Sequence, residues 1–207
     1  ADAQMIAAER LAIQSDSNEI AIDDDSDIVP VEVIAIEDGG IGDRVCVDLT
    51  SVLEVGEGLL IGSSANALAL IHGETLESEF VPPRPFRVNA GAVHAYVLMD
   101  DGTTKYLSEL TAGDSVSVCN SVGMVRSAVI GRMKIESRPF LLVRFSHPES
   151  GIVGQTFLQQ AETVRLISPI GEMPSVTSIT VGDLLLARIG TSARHIGQTV
   201  LSVAEER

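Results

Sequence analysis

The sequence contains few aromatic residues, and this limits the kind of core that it can build. Phe and Tyr make up 3% of the 207 residues and Trp is absent. A buried core must therefore consist mainly of Val, Ile, Leu and Ala. β-Branched residues favour strands. A chain of this length forms one large domain or two small ones, and either can bury a real core.

Positive charge is also scarce, which argues against several classes of partner. The chain has 14 Lys and Arg against 29 Asp and Glu, for a formal net charge of −15. Nucleic acids and anionic membrane surfaces are bound largely through Lys and Arg. We therefore expect no nucleic-acid partner, and we expect a protein partner to present a basic face.

The two cysteines, Cys46 and Cys119, have neither CxxC spacing nor clustered His around them. The pattern indicates neither a disulfide framework nor a metal site, and it fits a reducing compartment. No apolar run approaches the roughly 18 residues that a membrane-spanning helix needs, so we expect no direct membrane insertion. The chain starts with Ala and lacks a signal-peptide pattern, which fits either a removed transit peptide or a chain cut at a domain edge.

The composition divides the chain into a leader and a β-rich body. Residues 1–30 carry eight acids against one Arg and form the predicted acidic leader, in which "AQMIAAERLAI" favours a short helix. From Val29, the alternation in "VPVEVIAIE" predicts a half-buried strand. We expect residues 31–91 to form a β-rich segment with a polar cluster, and residues 92–207 to form duplicated β units.

An internal repeat supports the duplicated part. Its motif contains a "GD" pair, which is typical of a tight turn in which Gly takes a positive φ and Asp accepts from backbone N–H groups. Four residues recur 69 positions later: Gly102, Leu110, Gly113 and Asp114 as Gly171, Ile179, Gly182 and Asp183.

The repeat predicts the fold class. We expect a mainly β protein in which residues 92–118 and 161–187 form equivalent antiparallel units, packed as a barrel or sandwich with few short helices. Side chains at equivalent positions should then face one common core: Val97, Leu110 and Val116 with Leu166, Ile179 and Leu185.

The densest polar cluster precedes the first repeat, in "IHGETLESEFVPPRPFRVNAGAVHAY". Arg84 and Arg87 suit carboxylate recognition, but three positions apart in an extended segment they would point to opposite faces and need not share a ligand. His94 suits proton transfer, with Glu74 or Glu77 holding its tautomer. The alternative is purely structural, with the arginines paired to the glutamates in an ion-pair network.

Several motifs resemble those of the type II 3-dehydroquinate synthase family. They include "GDRVCVD", "EGLLIGSS", "ETLES", "RPFRVNAGAVHAY", "YLSEL", "MKIESRP" and "LQQAETVRL", and together they cover the chain from about Val31 to its end. The resemblance implies an NAD-dependent enzyme. It would oxidatively deaminate 2-amino-3,7-dideoxy-D-threo-hept-6-ulosonate and cyclise the product to 3-dehydroquinate, an intermediate in aromatic amino-acid biosynthesis.

We carry roles onto this chain as hypotheses within that resemblance. Arg84 and Arg87 would hold the substrate carboxylate, and Asn89 and Gln159 would hydrogen-bond hydroxyl groups. Protons would be moved by His94 with Glu74, and Glu77 is a further catalytic candidate. No glycine-rich nucleotide motif follows a strand, so NAD rests on the resemblance alone and its binding residues are unknown.

Two functional hypotheses follow. Family members carry a further N-terminal region, whereas an acidic leader stands in its place here. The preferred hypothesis is therefore a non-catalytic accessory subunit without cofactor, docked on the basic stromal face of a photosynthetic membrane complex in plastids. The alternative is an active NAD-dependent 3-dehydroquinate synthase. For the location, we expect the plastid stroma, with the cytoplasm as the alternative.

Overall fold

The computed structural model describes residues 28–78 and 81–190, together with the backbone of residues 193–195 and 198–200. The predicted leader helix lies outside these residues. The described chain contains a 3-10 turn at Leu107–Glu109 and these strands: β1 (Ile28–Leu49), β2 (Glu57–Ser64), β3 (Ala67–His72), β4 (Arg87–Ala92), β5 (Tyr96–Leu98), β6 (Thr104–Tyr106), β7 (Ser115–Asn120), β8 (Val125–Ser146), β9 (Val153–Gln159), β10 (Leu184–Ile189), β11 (Ala193–His195) and β12 (Gln198–Val200).

The strand pairings form a closed ring. β1 pairs with β8, β8 with β7, β7 with β2, β2 with β3, and β3 with β10, which pairs again with β1. Each of these pairings is antiparallel. Two further strands lie against the long ones, because β4 pairs with β1 and β9 pairs with β8. The predicted mainly β, antiparallel fold is confirmed.

The two longest strands organise the molecule. β1 and β8 each have 22 residues, and they pair from Glu32 opposite Ser146 to Leu49 opposite Ile130. Successive side chains of a strand point to opposite faces. On β1, Val45 and Val47 therefore enter the core, which leaves the residues between them for the other face. The central core also receives Phe145.

The predicted repeat is confirmed in its hydrogen bonds. Gly113 and Gly182 both have φ of 98°, a conformation that favours glycine. The Asp114 carboxylate accepts from the Thr111 N–H at 2.9 Å, and Asp183 accepts from the Thr180 N–H at 2.7 Å. All six side chains predicted to face a common core are buried within one cluster, namely Val97, Leu110, Val116, Leu166, Ile179 and Leu185.

The duplication extends further upstream than the predicted segments. β1 and β8 have the same length, and their first residues are 97 positions apart, whereas the repeated turns are 69 positions apart. The first half therefore holds 28 extra residues between its long strand and its turn. These fall within residues 50–86, which include β2 and β3 and the loop that follows them. Within the described residues, no helix has the length and apolarity needed to span a membrane.

Candidate functional site

A polar face runs across three neighbouring strands, β4, β1 and β8. Because side chains alternate along a strand, the β1 residues that alternate with the core residues Val45 and Val47 share this face. The same alternation holds on the neighbouring strands. The polar face contains Arg44, Cys46 and Asp48 from β1, Arg87 and Asn89 from β4, and Arg132, Lys134, Glu136 and Arg138 from β8.

Asp48 lies at one end of this face, opposite Arg87 on β4 and Arg132 on β8. Arg87 donates through Nε at 2.6 Å and through Nη2 at 2.9 Å, and Arg132 donates through Nε at 2.8 Å. Burial alone would raise the pKa of Asp48, but the hydrogen bonds from the two arginines outweigh it and hold the pKa below its ordinary value. Asp48 is therefore ionised at neutral pH and fixes the orientation of Arg87.

Glu136 lies further along the face among three cations. Its carboxylate accepts a hydrogen bond from Arg44 at 2.5 Å, and it forms ion pairs with Lys134 and Arg138, each with an N···O distance of 3.2 Å. The hydrogen bond from Lys134, with the charges of Arg138 and Arg44, holds the pKa of Glu136 below its ordinary value. Arg44 is buried and also contacts the Cys46 sulfur. The group is thus one carboxylate surrounded by three positive charges.

Glu74 and Arg84 approach the face from the extra segment of the first half. Arg84 Nη1 donates to the Glu74 carboxylate at 3.1 Å, and the Glu74 N–H donates to the Arg87 carbonyl at 2.8 Å. The expectation that Arg84 and Arg87 point to opposite faces is wrong. The Arg87 N–H donates to the Arg84 carbonyl at 2.8 Å, so residues 84–87 form a turn rather than an extended segment, and both side chains reach one cavity.

Asn89 and Gln159 form an amide pair beside these charges. Asn89 Nδ2 donates to Gln159 Oε1 at 2.9 Å. Asn89 is 4% exposed, and its Oδ1 is buried without a hydrogen-bond partner among the described residues. The two predicted substrate-binding amides therefore lie together, as the assignment of both to one ligand requires.

These groups line a cavity of about 370 Å³. A volume of this size suits a small polar ligand. Its charged lining contains five cations and three carboxylates, so it is net positive in a strongly acidic chain. The lining residues are Arg44, Glu74, Ser78, Val81, Arg84, Arg87, Asn89, Lys134, Glu136, Arg138, Gln159, Ala161, Glu162 and Thr163.

The structure brings together five of the seven predicted site residues. Glu74, Arg84, Arg87, Asn89 and Gln159 line the cavity, and the glutamate–arginine pairing of the structural alternative is also present. Glu77 and His94 do not line it. Both are exposed, and the His94 ring contacts the Phe157 ring edge-on, with centroids 5.2 Å apart. The geometry therefore does not place His94 beside Glu74 in the cavity.

Sequence reasoning gave no site role to Arg44, Asp48, Lys134, Glu136 or Arg138. The signal was present in "RVCVD" and "RMKIESR", where polar residues recur at every second position. Such a pattern indicates one polar strand face. The pattern does not show that the two polar faces lie side by side. They do so because β1 pairs with β8, and the two strands are far apart in the sequence.

Within the described residues, the two cysteines and the possible metal ligands give no support for thiol or metal chemistry. Burial raises the pKa of Cys46, and it raises the pKa of Cys119 to about 12, so neither thiol is a ready nucleophile. The described ranges, 28–78 and 81–190, contain no group of three or more His, Cys, Asp or Glu side chains placed to hold a metal ion.

Comparison with known proteins identifies the family. Residues 30–207 match the family model of the 3-dehydroquinate synthase II C-terminal domain. The chain belongs to the 3-dehydroquinate synthase II family. Within this family, it is 50% identical over 174 residues to a protein named 3-dehydroquinate synthase from Methanosphaera stadtmanae, covering 84% of this chain and 48% of that protein.

Further members of the 3-dehydroquinate synthase II family show similar identity. Proteins of the same name from Methanoculleus marisnigri and Nitrosopumilus maritimus are each 47% identical to this chain. The matches cover 87% and 84% of this chain, and 54% and 49% of the relatives. The chain thus spans about half the length of the curated relatives that it matches. No solved structure shows a significant match.

Proposed function

We propose that this chain supplies the substrate-binding C-terminal domain of an NAD-dependent 3-dehydroquinate synthase, acting in aromatic amino-acid biosynthesis. The observation that supports this most directly is the net positive cavity of about 370 Å³ in a member of the synthase family. The proposed substrate, 2-amino-3,7-dideoxy-D-threo-hept-6-ulosonate, carries a carboxylate, an ammonium group and hydroxyl groups. Arginine, carboxylate and amide side chains in one cavity match these three kinds of group.

The residue roles follow from the donors that each side chain retains. Arg87 donates to Asp48 through Nε and Nη2, so its Nη1 group can donate to a ligand. Glu74 is 9% exposed and is the carboxylate nearest to Arg84, so it is the proposed acceptor for the substrate ammonium group. Asn89 and Gln159 are proposed to bind hydroxyl groups. His94 and Glu77 have no proposed role inside the cavity.

The proposed reaction has a defined balance. The amine, NAD⁺ and water yield a ketone, ammonium, NADH and a proton, and the ketone then cyclises to 3-dehydroquinate. The described residues do not fit the dinucleotide: they contain no glycine-rich turn leading into a helix N-terminus, and the cavity has the size of a small acid. We therefore assign no residue of this domain to NAD.

The competing hypothesis of a non-catalytic accessory subunit has less support. The matched relatives are named as the enzyme, and five of the predicted site residues are present together in one cavity. No feature of the described residues favours docking on a photosynthetic complex. The basic-faced partner and the plastid or cytoplasmic location stay predictions.

The enzymatic proposal can be tested by product analysis. The complete encoded protein, incubated with the amino-heptulosonate and NAD⁺, should form NADH, ammonium and 3-dehydroquinate in equal amounts. Omission of NAD⁺ should abolish all three products. A folded protein that forms none of them while it binds a membrane complex through a salt-sensitive contact would overturn the proposal and restore the accessory hypothesis.

A further inference from the structure

The arginines assigned to the substrate carboxylate are already engaged within the protein. Asp48 holds Arg87 through two hydrogen bonds, and Glu74 holds Arg84 through one. Asp48 is buried on β1 and also accepts from Arg132, so it is fixed in place from both sides. At this end of the cavity, the two arginines are therefore already matched by two carboxylates.

The other end of the cavity presents cations in excess. Arg44, Lys134 and Arg138 converge on the single carboxylate of Glu136, which gives this group a formal charge of +2. Arg44 is 5% exposed, and its Nε is buried without a partner among the described residues. A buried N–H donor without an acceptor is unfavourable, so the Arg44 guanidinium is not fully satisfied by Glu136 and Cys46.

The position of Glu136 lets it leave without disturbing the core. It lies on β8 between Lys134 and Arg138, and its side chain is 26% exposed. Its side chain lies on the polar strand face, outside the apolar core. A carboxylate supplied by a ligand can therefore take the place of Glu136 among the same three cations.

We infer that Arg44, Lys134 and Arg138 form the carboxylate-binding site of this cavity, and that Glu136 occupies the site as an internal carboxylate until a ligand displaces it. This inference rests on the proposed function for the identity of the natural ligand, an amino acid with a seven-carbon chain. It moves the carboxylate anchor from Arg84 and Arg87 to the opposite end of the cavity. The seven-carbon chain would then extend toward Asn89, Gln159 and Glu74.

Binding of a simple carboxylate tests the site without requiring catalysis. Malate is small enough for the cavity, and its binding to the complete encoded protein can be measured by titration calorimetry. Glu136→Gln keeps the shape of the side chain and removes the competing charge. We expect this variant to bind malate at least about threefold more tightly, because the ligand then no longer competes with an internal carboxylate for the three cations.

Two further variants separate this site from the alternatives. Arg84→Ala should leave malate affinity within about twofold, and so should Arg144→Ala, a half-exposed arginine of β8 that pairs with Glu37. Lys134→Met should weaken binding at least threefold. Unchanged or weaker binding by Glu136→Gln would overturn the inference, as would a larger loss in Arg84→Ala than in Lys134→Met.

The outcomes also distinguish the inference from the proposed function. Malate binding with the expected pattern in a protein that forms no NADH would support the carboxylate site and reject the enzyme. NADH formation whose KM for the amino-heptulosonate is lowered by Glu136→Gln would support both. NADH formation with a KM raised by Arg84→Ala and unaffected by Lys134→Met would support the enzyme and reject the site.

Discussion

The two halves of the molecule share a backbone plan and differ in the polar face that this plan presents. In the first half, β4 lies against β1 and places Arg87 opposite Asp48 and Asn89 opposite Cys46. In the second half, β9 lies against β8, and the positions 69 residues after Arg87 and Asn89 place Thr156 opposite Val143 and Leu158 opposite Leu141. At these two positions, the duplicated scaffold therefore carries a buried cation and an amide in the first copy and uncharged residues in the second.

The extra residues of the first half explain why charge is tolerated there. Described residues of this segment bond to β4 and to the end of β1: the Glu74 N–H donates to the Arg87 carbonyl, and the Phe86 carbonyl accepts from the Leu49 N–H. It also supplies Glu74 and Arg84 to the cavity. A buried charge is stable only when it is paired and hydrogen-bonded. The insertion thus helps to enclose the polar site of the first half. The described residues of the second half contain no equivalent segment with which to enclose such a site.

The largest expected effect comes from removing the central carboxylate of the first half. Asp48→Ala leaves Arg87 buried without its partner, and we expect the free energy of unfolding to fall by about 3–5 kcal/mol. Urea denaturation measures this change. The matched control is Glu37→Ala, which removes a half-exposed carboxylate 3.7 Å from Arg144 and should cost no more than about 0.5 kcal/mol. Equal losses in the two variants would contradict the importance of the buried Asp48–Arg87 pair to the polar face of the first half.

A second effect concerns pH and is specific to the extra segment. Burial, and to a lesser degree the charge of Arg165, lowers the pKa of His72 from 6.5 to about 4. Above pH 6.5, His72 is neutral in both the folded and the unfolded states. Between about pH 6.5 and 4, the unfolded chain binds a proton that the folded protein does not, so stability falls as the pH is lowered.

The size of the His72 contribution follows from the shift. The pKa of His72 is lower by about 2.5 in the folded protein than in the unfolded chain, which corresponds to about 3 kcal/mol of unfolding free energy lost by pH 4. The Gly56 N–H donates to His72 Nε2 at 3.0 Å, so His72→Gln keeps an acceptor while removing the titrating ring. We expect this variant to lose less stability than the parent between pH 6.5 and 4 in urea titrations. A pH profile as steep as that of the parent would show that other groups cause the loss.

A third prediction tests what the halves share. Gly113→Ala and Gly182→Ala each place a Cβ on a backbone with φ of 98°, where no atom lies within 4 Å of it. The cost is therefore conformational, about 1–3 kcal/mol in each variant, and the two values should agree closely. Thermal or urea unfolding measures both. A large difference between the two variants would mean that the repeated turns are not energetically equivalent.

Sequence patterns predicted the shared features of the halves better than their differences. The 69-residue offset predicted equivalent turns and core positions, because local turn chemistry and alternation are encoded near each residue. The clustering of Glu74, Arg84 and Arg87 was also predictable from their proximity in the chain. The contributions of Asp48 and Glu136 were not, since they depend on which residues of β1 and β8 face each other, and register between strands far apart in sequence is a tertiary property. His94 was misjudged for a related reason, because its place in a turn directs it away from the cavity lining.

The most direct test of the account compares two arginines of the same strand. Arg138 lines the cavity and Arg144 lies outside it on β8, and their side chains are 41% and 42% exposed. In the complete encoded protein, Arg138→Ala should raise the KM for the amino-heptulosonate about tenfold, the effect of losing one charge-assisted hydrogen bond, while Arg144→Ala should change it less than twofold. Equal KM values in the two variants, with both proteins folded, would contradict the assignment of this cavity to the substrate.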